Sequence, residues 1–141
     1  MPGKGPYTHS SRVRFTHTDP AGYVFFPRYF EKFQAAVEDW FNIELGVDYA
    51  GIFLNRGIGL PTAHTECNFI KPCRLGEMLN LSLRLTKVGS TSISVEFFGT
   101  VNGEQRLHGQ SVLVFIDLKD GAPVLIPNDL REKFEAYQDQ S

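Results

Sequence analysis

An aromatic repeat between positions 26 and 41 restricts the fold of this chain more than any other feature. Large apolar side chains recur there at spacings of three and four residues, which is the period of one helix face. They are Phe26, Phe30, Phe33, Val37, Trp40 and Phe41. Pro27 suits the first helical turn, where its missing N–H is no loss. The spacing predicts a helix over 27–43, and a helix so aromatic must be covered by other elements.

After Leu60 the apolar pattern changes to a period close to two, which is typical of strands. Four strands are predicted, over 62–70, 78–88, 92–101 and 106–118. The dipeptide Asn102-Gly103, between the last two, is a favoured hairpin turn. These residues predict an α+β fold in which an antiparallel sheet curves around the long helix.

Shorter elements are expected on both sides of these. Arg12 to His17 alternates polar and apolar residues, which predicts a strand running into a turn at 18–22. Short helices are expected over 48–55 and 127–138. The length predicts a single domain over 1–141, with residues 1–10, rich in Gly, Pro and Ser, expected to be flexible.

Composition excludes several classes of function. The net charge is -2 with no basic run, which argues against nucleic acid or an anionic membrane as a partner. No stretch approaches the ~18 apolar residues of a membrane span, and Met1 to Ser11 lacks the apolar core of a signal peptide. We therefore expect a cytoplasmic protein. In a reduced compartment Cys67 and Cys73 are expected to be small buried residues, not a disulfide or a metal site.

Two segments carry a family resemblance. The run from Asp19 to Tyr29 (DPAGYVFFPRY) resembles the D-P-A-G-x-V-aromatic-aromatic-P-x-Y segment of 4-hydroxybenzoyl-CoA thioesterases. The match reappears at residues 59–62. The second segment, residues 69–77 (FIKPCRLGE), resembles the strand-turn F-x-x-P-x-R-L-G-[DE], which is widespread among hotdog proteins. With the strand order, the resemblance covers about residues 11–120.

The resemblance implies a hotdog fold, in which an antiparallel sheet of five to six strands wraps around one long central helix. It also implies active sites at a dimer interface and a homo-oligomer, either a dimer or a dimer of dimers (homotetramer). The implied substrate is a small-molecule acyl-CoA, with coenzyme A as part of the substrate, no separate cofactor and no metal.

Asp19 is the candidate catalytic residue. Thioester hydrolysis needs a group that attacks the carbonyl carbon or activates water, and donors for the oxyanion. Asp19 precedes the long helix, so its carboxylate is expected near the unpaired N–H groups of the helix N-terminus. By resemblance, Asp19 is the nucleophile or general base and the backbone N–H of Phe26 is the oxyanion donor. The structural alternative is an Asp that only forms the turn or caps the helix.

Other residues near these motifs are candidates for substrate contact. They are Gly22, Tyr23, Tyr29, Pro61, Thr62 and His64. His17, two residues before Asp19, is a candidate for a supporting role. The acids Glu31, Glu38 and Glu66 are interpreted as solvated surface residues.

Coenzyme A brings phosphates, which need cations or backbone donors. In the resembling family the nucleotide contacts cluster at the turn that corresponds to 87–92. Here that turn departs from the family pattern because only Lys87 is charged, and Lys71 and Arg74 are expected to compensate across an interface. The candidate CoA-binding residues are Lys87, Gly89, Ser90, Thr91, Lys71 and Arg74.

Three alternatives remain beside an aromatic, benzoyl-type acyl-CoA substrate. Short-chain acyl-CoA thioesterases resemble D-x-x-G-x-V-Y-H, with a histidine where Phe26 stands, and that difference favours the aromatic branch. A second alternative is a non-catalytic protein that binds acyl-CoA. The third, a hotdog hydratase or dehydratase, would need a His paired with an acid in that family's arrangement; the sequence shows no such arrangement, and His17 and His64 keep the alternative open.

Overall fold

The computed structural model of the protein describes residues 7–25 and 27–140, apart from the side chains of residues 139 and 140. Its strands are β1 (Tyr7–Arg12), β2 (Ile58–Gly59), β3 (Thr62–Phe69), β4 (Met78–Val88), β5 (Ser92–Val101), β6 (Glu104–Val114) and β7 (Ile116–Asp117). Its α-helices are α1 (Pro27–Asp39), α2 (Tyr49–Leu54) and α3 (Asn128–Gln140). None of the helices in this described part of the chain is long and apolar enough to cross a membrane.

Five strands form one sheet in the order β1-β4-β5-β6-β3, and each neighbouring pair is antiparallel. Successive side chains of a strand point to opposite faces. On the inner face Leu81 and Leu83 of β4 and Val95 and Phe97 of β5 are all 0% exposed. β2 and β7 form a separate two-stranded sheet.

The long helix packs on this inner face. Phe33 stacks on Phe97 with ring centroids 4.5 Å apart. Trp40 and Phe41 are fully buried and contact Phe134 of α3. Burying each such side chain contributes roughly 1.5–3 kcal/mol. The predicted α+β architecture, an antiparallel sheet around a long aromatic helix, is confirmed.

The predicted element bounds agree closely with the structure. β4 and β5 have the predicted ends, and β3 stops one residue early. α1 continues as a π-helical segment, Trp40–Leu45, which ends at Gly46 in the left-handed conformation (φ 69°) that glycine favours at a helix end. The predicted strand over 106–118 is divided, because the chain leaves the large sheet at Phe115 and pairs with β2 as β7.

The first strand lies earlier than predicted. Residues 7–10 were expected to be flexible, but they belong to β1 and pair with β4. The N–H of Tyr7 also donates to Tyr137 Oη at 2.7 Å. Because β1 presents mostly polar side chains, His9 and Ser11 among them, it lacks the apolar alternation by which a strand is recognised in sequence.

Of the residues predicted as that strand, Arg12 is the last residue of β1, and the residues after it lead into a turn. Phe15–His17 is a single 3₁₀ turn, in which the His17 N–H donates to Arg14 O at 2.9 Å. The Thr18 hydroxyl also donates to Phe15 O at 2.7 Å. Local side-chain bonds of this kind compete with a strand ladder. The turn leaves Phe15 78% exposed.

β3 lies at one edge of the large sheet. Seven of its eight residues are exposed, and within the described part of the chain no strand pairs with its outer edge. A long uncovered edge strand offers free N–H and C=O groups to another chain. The fold therefore presents an unpaired strand directly beside α1.

Candidate functional site

A small hairpin over residues 17–25, which we call the Asp19 hairpin, leads into α1. Its arms are joined by the Phe25 N–H, which donates to His17 O at 2.7 Å, and the Asp19 N–H, which donates to Tyr23 O at 2.9 Å. At its tip Gly22 has φ 85°, a conformation that glycine adopts without steric cost. The predicted turn of Asp, Pro and Gly is confirmed, and its start is fixed at Asp19.

The hairpin packs against the turn between β3 and β4, residues 70–77. Val24 N–H donates to Cys73 O and Leu75 N–H donates to Gly22 O, each at 2.9 Å. The Arg74 guanidinium donates to Tyr23 Oη at 3.0 Å and lies 5.2 Å from the centre of the Tyr23 ring. These contacts bring the two family-like segments of the sequence together.

The Asp19 carboxylate uses only one of its oxygens in this turn. Oδ1 accepts the N–H of Ala21 at 2.9 Å and that of Tyr23 at 3.4 Å. This is the local turn that Asp often forms with a residue two positions on, so the structural role weighed for Asp19 is real. Oδ2 accepts no hydrogen bond from the residues that the structure describes. The half-buried carboxylate is thus held by one oxygen, while the described residues donate no hydrogen bond to the other.

Phe26, the predicted oxyanion donor, lies outside the described residues. α1 begins at Pro27, as predicted. Pro27 has no N–H, and the N–H of Arg28 already donates to Phe25 O at 2.8 Å. Neither residue therefore replaces the proposed donor.

The turn beneath the hairpin is held by Arg106 of β6. Its side chain, 6% exposed, forms two hydrogen bonds to the Glu77 carboxylate, at 2.9 and 3.0 Å. It also donates to Pro72 O at 3.1 Å and to Glu104 Oε1 at 2.7 Å. The bonds from Arg106 lower the pKa of Glu77 to about 2. We call this group the Arg106 clamp; sequence reasoning missed it, although Glu77 ends the second family-like segment.

Tyr29 lies in the core, contrary to its prediction as a substrate contact. It is 4% exposed, its Oη accepts the Cys73 N–H at 3.0 Å, and its ring lies 4.8 Å from that of Phe69. Burial raises the pKa of this phenol well above its usual range. Tyr29 therefore ties α1 to the β3–β4 turn.

An apolar cavity of about 130 Å³ lies between α1 and the strands β3, β5 and β6. We call it the helix cavity. Its apolar walls include Phe30, Phe33, Val37 and Phe97. At a helical rise of about 1.5 Å per residue, Phe30 stands within one turn of the start of α1. The helix that follows the Asp19 hairpin therefore forms one wall of the cavity.

Polar groups in the helix cavity were not foreseen, except Thr62. They are Gln34, Thr62, Thr65 and Ser111. The Thr65 and Ser111 hydroxyls are 2.8 Å apart, and Gln34 Nε2 donates to Tyr49 Oη at 2.9 Å. The sequence did not show this meeting, because Gln34 lies on a helix and Thr62 and Thr65, three residues apart, share a wall only through the bulge after Thr62.

The other predicted substrate contacts are divided. Gly22 and Tyr23 lie in the Asp19 hairpin, while Pro61 accepts the Val114 N–H at 3.0 Å beside Thr62. His64 does not line the helix cavity. A bulge between Thr62 and His64 changes the alternation of β3, so that Thr62 lies on the wall of the cavity and His64 does not. The His64 side chain is 61% exposed and lies 2.9 Å from the Glu66 carboxylate.

The candidate CoA-binding residues fall at two ends of the sheet. Lys71, which pairs with Glu104 at 3.4 Å, and Arg74 belong to the turn beside the Asp19 hairpin. The segment from Lys87 to Thr91 lies at the other end of β4, about 30 Å away at ~3.3 Å per residue. There Arg131 donates to Gly89 O at 2.7 Å, and the Ile126 N–H donates to Ser90 O at 3.0 Å. One chain does not bring the two groups together.

Comparison with protein families decides which family this architecture represents. A profile described as the thioesterase-like superfamily matches residues 13–134, a range that includes the Asp19 hairpin, α1 and the large sheet from β3 onward. The chain belongs to the thioesterase-like superfamily. The narrower resemblance to 4-hydroxybenzoyl-CoA thioesterases stays a prediction.

Sequence relatives of this superfamily member bear the name 1,4-dihydroxy-2-naphthoyl-CoA hydrolase. The protein from Prochlorococcus marinus is 33% identical over 102 residues, 66% of this chain and 64% of that relative. The match to the protein from Crocosphaera subtropica likewise spans 65% of the relative, just under two thirds of its length. The protein from Synechococcus elongatus is 24% identical over 138 residues, 94% of this chain and 98% of that one.

Solved structures establish the hotdog fold for this superfamily member. The 1,4-dihydroxy-2-naphthoyl-CoA thioesterase of Synechocystis superposes with a TM-score of 0.84 at 20% identity, over 92% of this chain and 96% of that chain. A gentisyl-coenzyme A thioesterase superposes with a TM-score of 0.83 at 24% identity, over 91% and 99%. The predicted fold is confirmed.

Proposed function

We propose that the chain hydrolyses an acyl-CoA thioester to the free acid and CoA, with Asp19 as its reacting carboxylate. The observation that carries this proposal is the divided role of that carboxylate. Oδ1 is held by the N–H groups of Ala21 and Tyr23, while Oδ2 accepts no bond from the described residues. A group fixed by one oxygen and open at the other is oriented for reaction at no further cost in side-chain entropy.

Two routes use this geometry. As a nucleophile, Oδ2 attacks the thioester carbon, the C–S bond breaks to release the CoA thiolate, and water then cleaves the acyl anhydride and restores the carboxylate. As a general base, Oδ2 takes a proton from water, the hydroxide attacks the same carbon, and the proton passes to the departing sulfur. In either route the Phe26 N–H is proposed to stabilise the oxyanion, as the family resemblance implies.

The lining of the helix cavity supports an aromatic acyl group. The cavity has a volume of about 130 Å³ in one chain and is open to solvent, so its volume sets no upper limit on the group that it admits. Its walls are mainly aromatic and aliphatic side chains, which suit an aromatic ring. We therefore propose a benzoyl-type substrate, to be compared with the gentisyl and naphthoyl groups named for relatives.

Polar residues of the helix cavity favour a ring that carries hydroxyl groups. The Thr65 hydroxyl lies 3.4 Å from Gln110 O, to which it can donate, and 2.8 Å from the Ser111 hydroxyl, so the pair has at most one proton left to donate but can still accept a further hydrogen bond. The Gln34 amide donates to Tyr49 and keeps its carbonyl oxygen available as an acceptor. A few convergent polar groups in an apolar pocket are how small-molecule sites orient a ligand.

We propose that the site is completed by a second copy of the chain. The exposed edge of β3 runs beside the helix cavity, and exposed apolar side chains surround the Asp19 hairpin: Phe25 is 51%, Ile70 58% and Leu75 49% exposed. Apolar exposure beside an unpaired strand is typical of an interface. Since the turn at Lys87 lies at the far end of its own sheet, it can contribute to CoA binding only at a site shared with another copy.

Asp19→Asn is the decisive variant. The amide oxygen of Asn can still accept the Ala21 N–H, so the turn and the fold should persist, while turnover should fall by at least ~10³-fold because the reacting group is gone. Asp120→Asn is a matched control, since Asp120 Oδ1 accepts the Ala122 N–H at the same 2.9 Å in an exposed turn. The control should keep full activity.

The measurement is release of CoA thiol, read with Ellman's reagent, together with circular dichroism of each variant. A folded Asp19→Asn protein with full activity would refute the proposal, and an unfolded one would assign Asp19 to the turn alone. The substrates are benzoyl-, gentisyl-, 1,4-dihydroxy-2-naphthoyl- and short alkyl-CoA. Preference for alkyl esters would favour the short-chain alternative, and binding without release would favour a non-catalytic acyl-CoA binding protein.

A further inference from the structure

A second depression, which we call the basic cleft, lies on the other side of α1 from the helix cavity. It has a volume of about 410 Å³ between β1 and the first half of α1. Among the described residues, its lining includes the cations Arg12, Arg14, Arg28 and Lys32 and a single carboxylate, Glu31. The chain as a whole carries a net charge of -2. The cleft is therefore locally positive in a chain that is slightly negative.

Lys32 is the most unusual member of the basic cleft. The residue is 6% exposed, and its Nζ donates to the Ser11 hydroxyl at 3.0 Å. No carboxylate of the described residues forms an ion pair with it. Burial lowers the pKa of Lys32, and the charge of Arg14 lowers it further, against an opposing influence of Cys73. A buried ammonium without a counter-charge is costly to a fold, so an anion from outside the chain would relieve it.

Side chains beside Lys32 also offer hydrogen-bond donors to an anion in the cleft. Arg14 is exposed and forms no ion pair with the described residues. Arg28 forms an ion pair with Glu31, the carboxylate that lines the cleft, at 2.7 Å. His17 Nδ1 accepts the Arg14 N–H at 2.9 Å, so in the neutral ring Nε2 carries the proton. Burial lowers the pKa of His17, and the positive charges of Lys32 and Arg14 lower it further.

We propose that the basic cleft binds a multiply charged phosphate group through Lys32, Arg14 and Arg28. Phosphate accepts several charge-assisted bonds at once and matches the fork of an arginine. A lone carboxylate would compensate only one of these cations, whereas a phosphoanhydride compensates two or more. The phosphate comes either from the nucleotide part of CoA, in which case the inference rests on the proposed function, or from a free phosphate ester.

Titration calorimetry tests this with the intact protein. The ligands are inorganic pyrophosphate, CoA, dephospho-CoA and pantetheine, which has no phosphate. The variants are Lys32→Met, which keeps the length of the side chain, and Arg14→Gln; Lys119→Gln, at an exposed position, is the control. We expect Lys32→Met to weaken pyrophosphate or CoA binding roughly 10- to 100-fold, with the control unchanged. We also expect Lys32→Met to keep or raise the melting temperature, because it removes an uncompensated buried charge.

The ligand series distinguishes the two sources. If the coenzyme is the ligand through its pyrophosphate, CoA and dephospho-CoA both bind, pantetheine does not bind, and pyrophosphate competes with CoA. Tighter binding of CoA than of dephospho-CoA would assign the 3′-phosphate to the basic cleft as well. Pyrophosphate that binds to the cleft without competing with CoA indicates a free phosphate ester. Equal affinity of the wild type and both cleft variants for pyrophosphate and CoA would overturn the proposal, and if Lys32→Met fails to fold, Arg14→Gln decides.

Failure of this inference is separable from failure of the proposed function. A benzoyl thioester of N-acetylcysteamine carries the reacting group and no phosphate. Its hydrolysis by the wild-type protein, and loss of that hydrolysis in Asp19→Asn, would uphold the thioesterase proposal even if the basic cleft bound nothing.

Discussion

Replacing Arg106 by methionine is expected to loosen the turn that supports the Asp19 hairpin. Arg106 is almost fully buried and serves three acceptors, the Glu77 carboxylate, Glu104 and Pro72 O. Methionine retains much of the apolar stem but none of the donors. The change leaves Glu77 and the Pro72 carbonyl without their partner, in a turn whose Cys73 and Leu75 hold the hairpin in place.

The structure sets the size of the effect. Removing one partner of a fully buried ion pair costs roughly 3–5 kcal/mol. Glu77 and Glu104 keep 26% and 51% of their side chains exposed, so water compensates part of the loss. We therefore expect the free energy of unfolding to fall by about 2–3 kcal/mol. For a domain of this size that corresponds to a melting temperature lower by roughly 6–12 °C.

The pH dependence provides the sharper test. The Glu77 pKa is lowered from 4.5 to about 2, so the folded protein binds fewer protons than the unfolded chain between these values. The stabilisation is therefore complete above about pH 4.5 and is lost as the pH falls towards about 2. The whole shift corresponds to roughly 3 kcal/mol, which we reduce to about 1–2 kcal/mol because the carboxylate is partly exposed. Less than about half of this stabilisation by the Glu77 carboxylate should remain at pH 3.

The assay is thermal denaturation of the wild type, Arg106→Met, Glu77→Gln and the double variant at about pH 7, 5 and 3. Arg84→Met, an exposed arginine on β4, is the matched control and should change stability by less than about 0.5 kcal/mol. The loss of stability in the double variant should be clearly smaller than the sum of the two single losses near pH 7, and this difference should shrink near pH 3. That result would support a stabilising ion pair between Arg106 and Glu77. A melting temperature unchanged by Arg106→Met, or a loss equally large at both pH values, would show that the clamp does not stabilise the turn.

Two further predictions concern the assembly and the thiols. The active form should sediment as a dimer or a larger oligomer, because β3 leaves its edge and the helix cavity open in one chain; an active monomer would contradict a site completed by a second copy. Both thiols should react slowly with Ellman's reagent near pH 8 in the native protein and rapidly in denaturant, since burial raises the pKa of Cys67 to about 11 and also raises that of Cys73. Fast labelling of the native protein would mean that these side chains are more accessible than the fold indicates.

The sheet was predictable where its strands alternate and not where they are polar. β4 and β5 place an apolar residue at nearly every second position, so the period alone gave both ends of each strand. β1 carries only Tyr7 as a large apolar residue, and its pairing with β4 depends on backbone bonds that every sequence can form. Composition therefore indicated flexibility where the structure has an edge strand.

The candidate site was predictable in its loop and not in its walls. Asp19, Pro20 and Gly22 are turn residues with local causes, and their neighbours carry a family resemblance, so the hairpin could be located. Ser111 and Phe97 line the helix cavity from strands far along the chain. No local sequence pattern indicates that these residues contact the same cavity as α1. The burial of Lys32 could not be predicted, because helical spacing places it among the polar residues of α1, whereas β1, distant in sequence, covers it in the structure.

Helix α1 separates two environments that suit the two parts of one molecule. Phe30, Phe33 and Val37 face the apolar helix cavity, while Arg28 and Lys32 face the basic cleft. An acyl-CoA has an apolar acyl group at one end, phosphates at the other and the thioester between them. The Asp19 hairpin, which carries the proposed reacting carboxylate, lies just ahead of α1, and its first residue, His17, lines the basic cleft. The buried charge of Lys32 then has a physical reason, since it weakens the free protein and is compensated only when the phosphates of the substrate are bound.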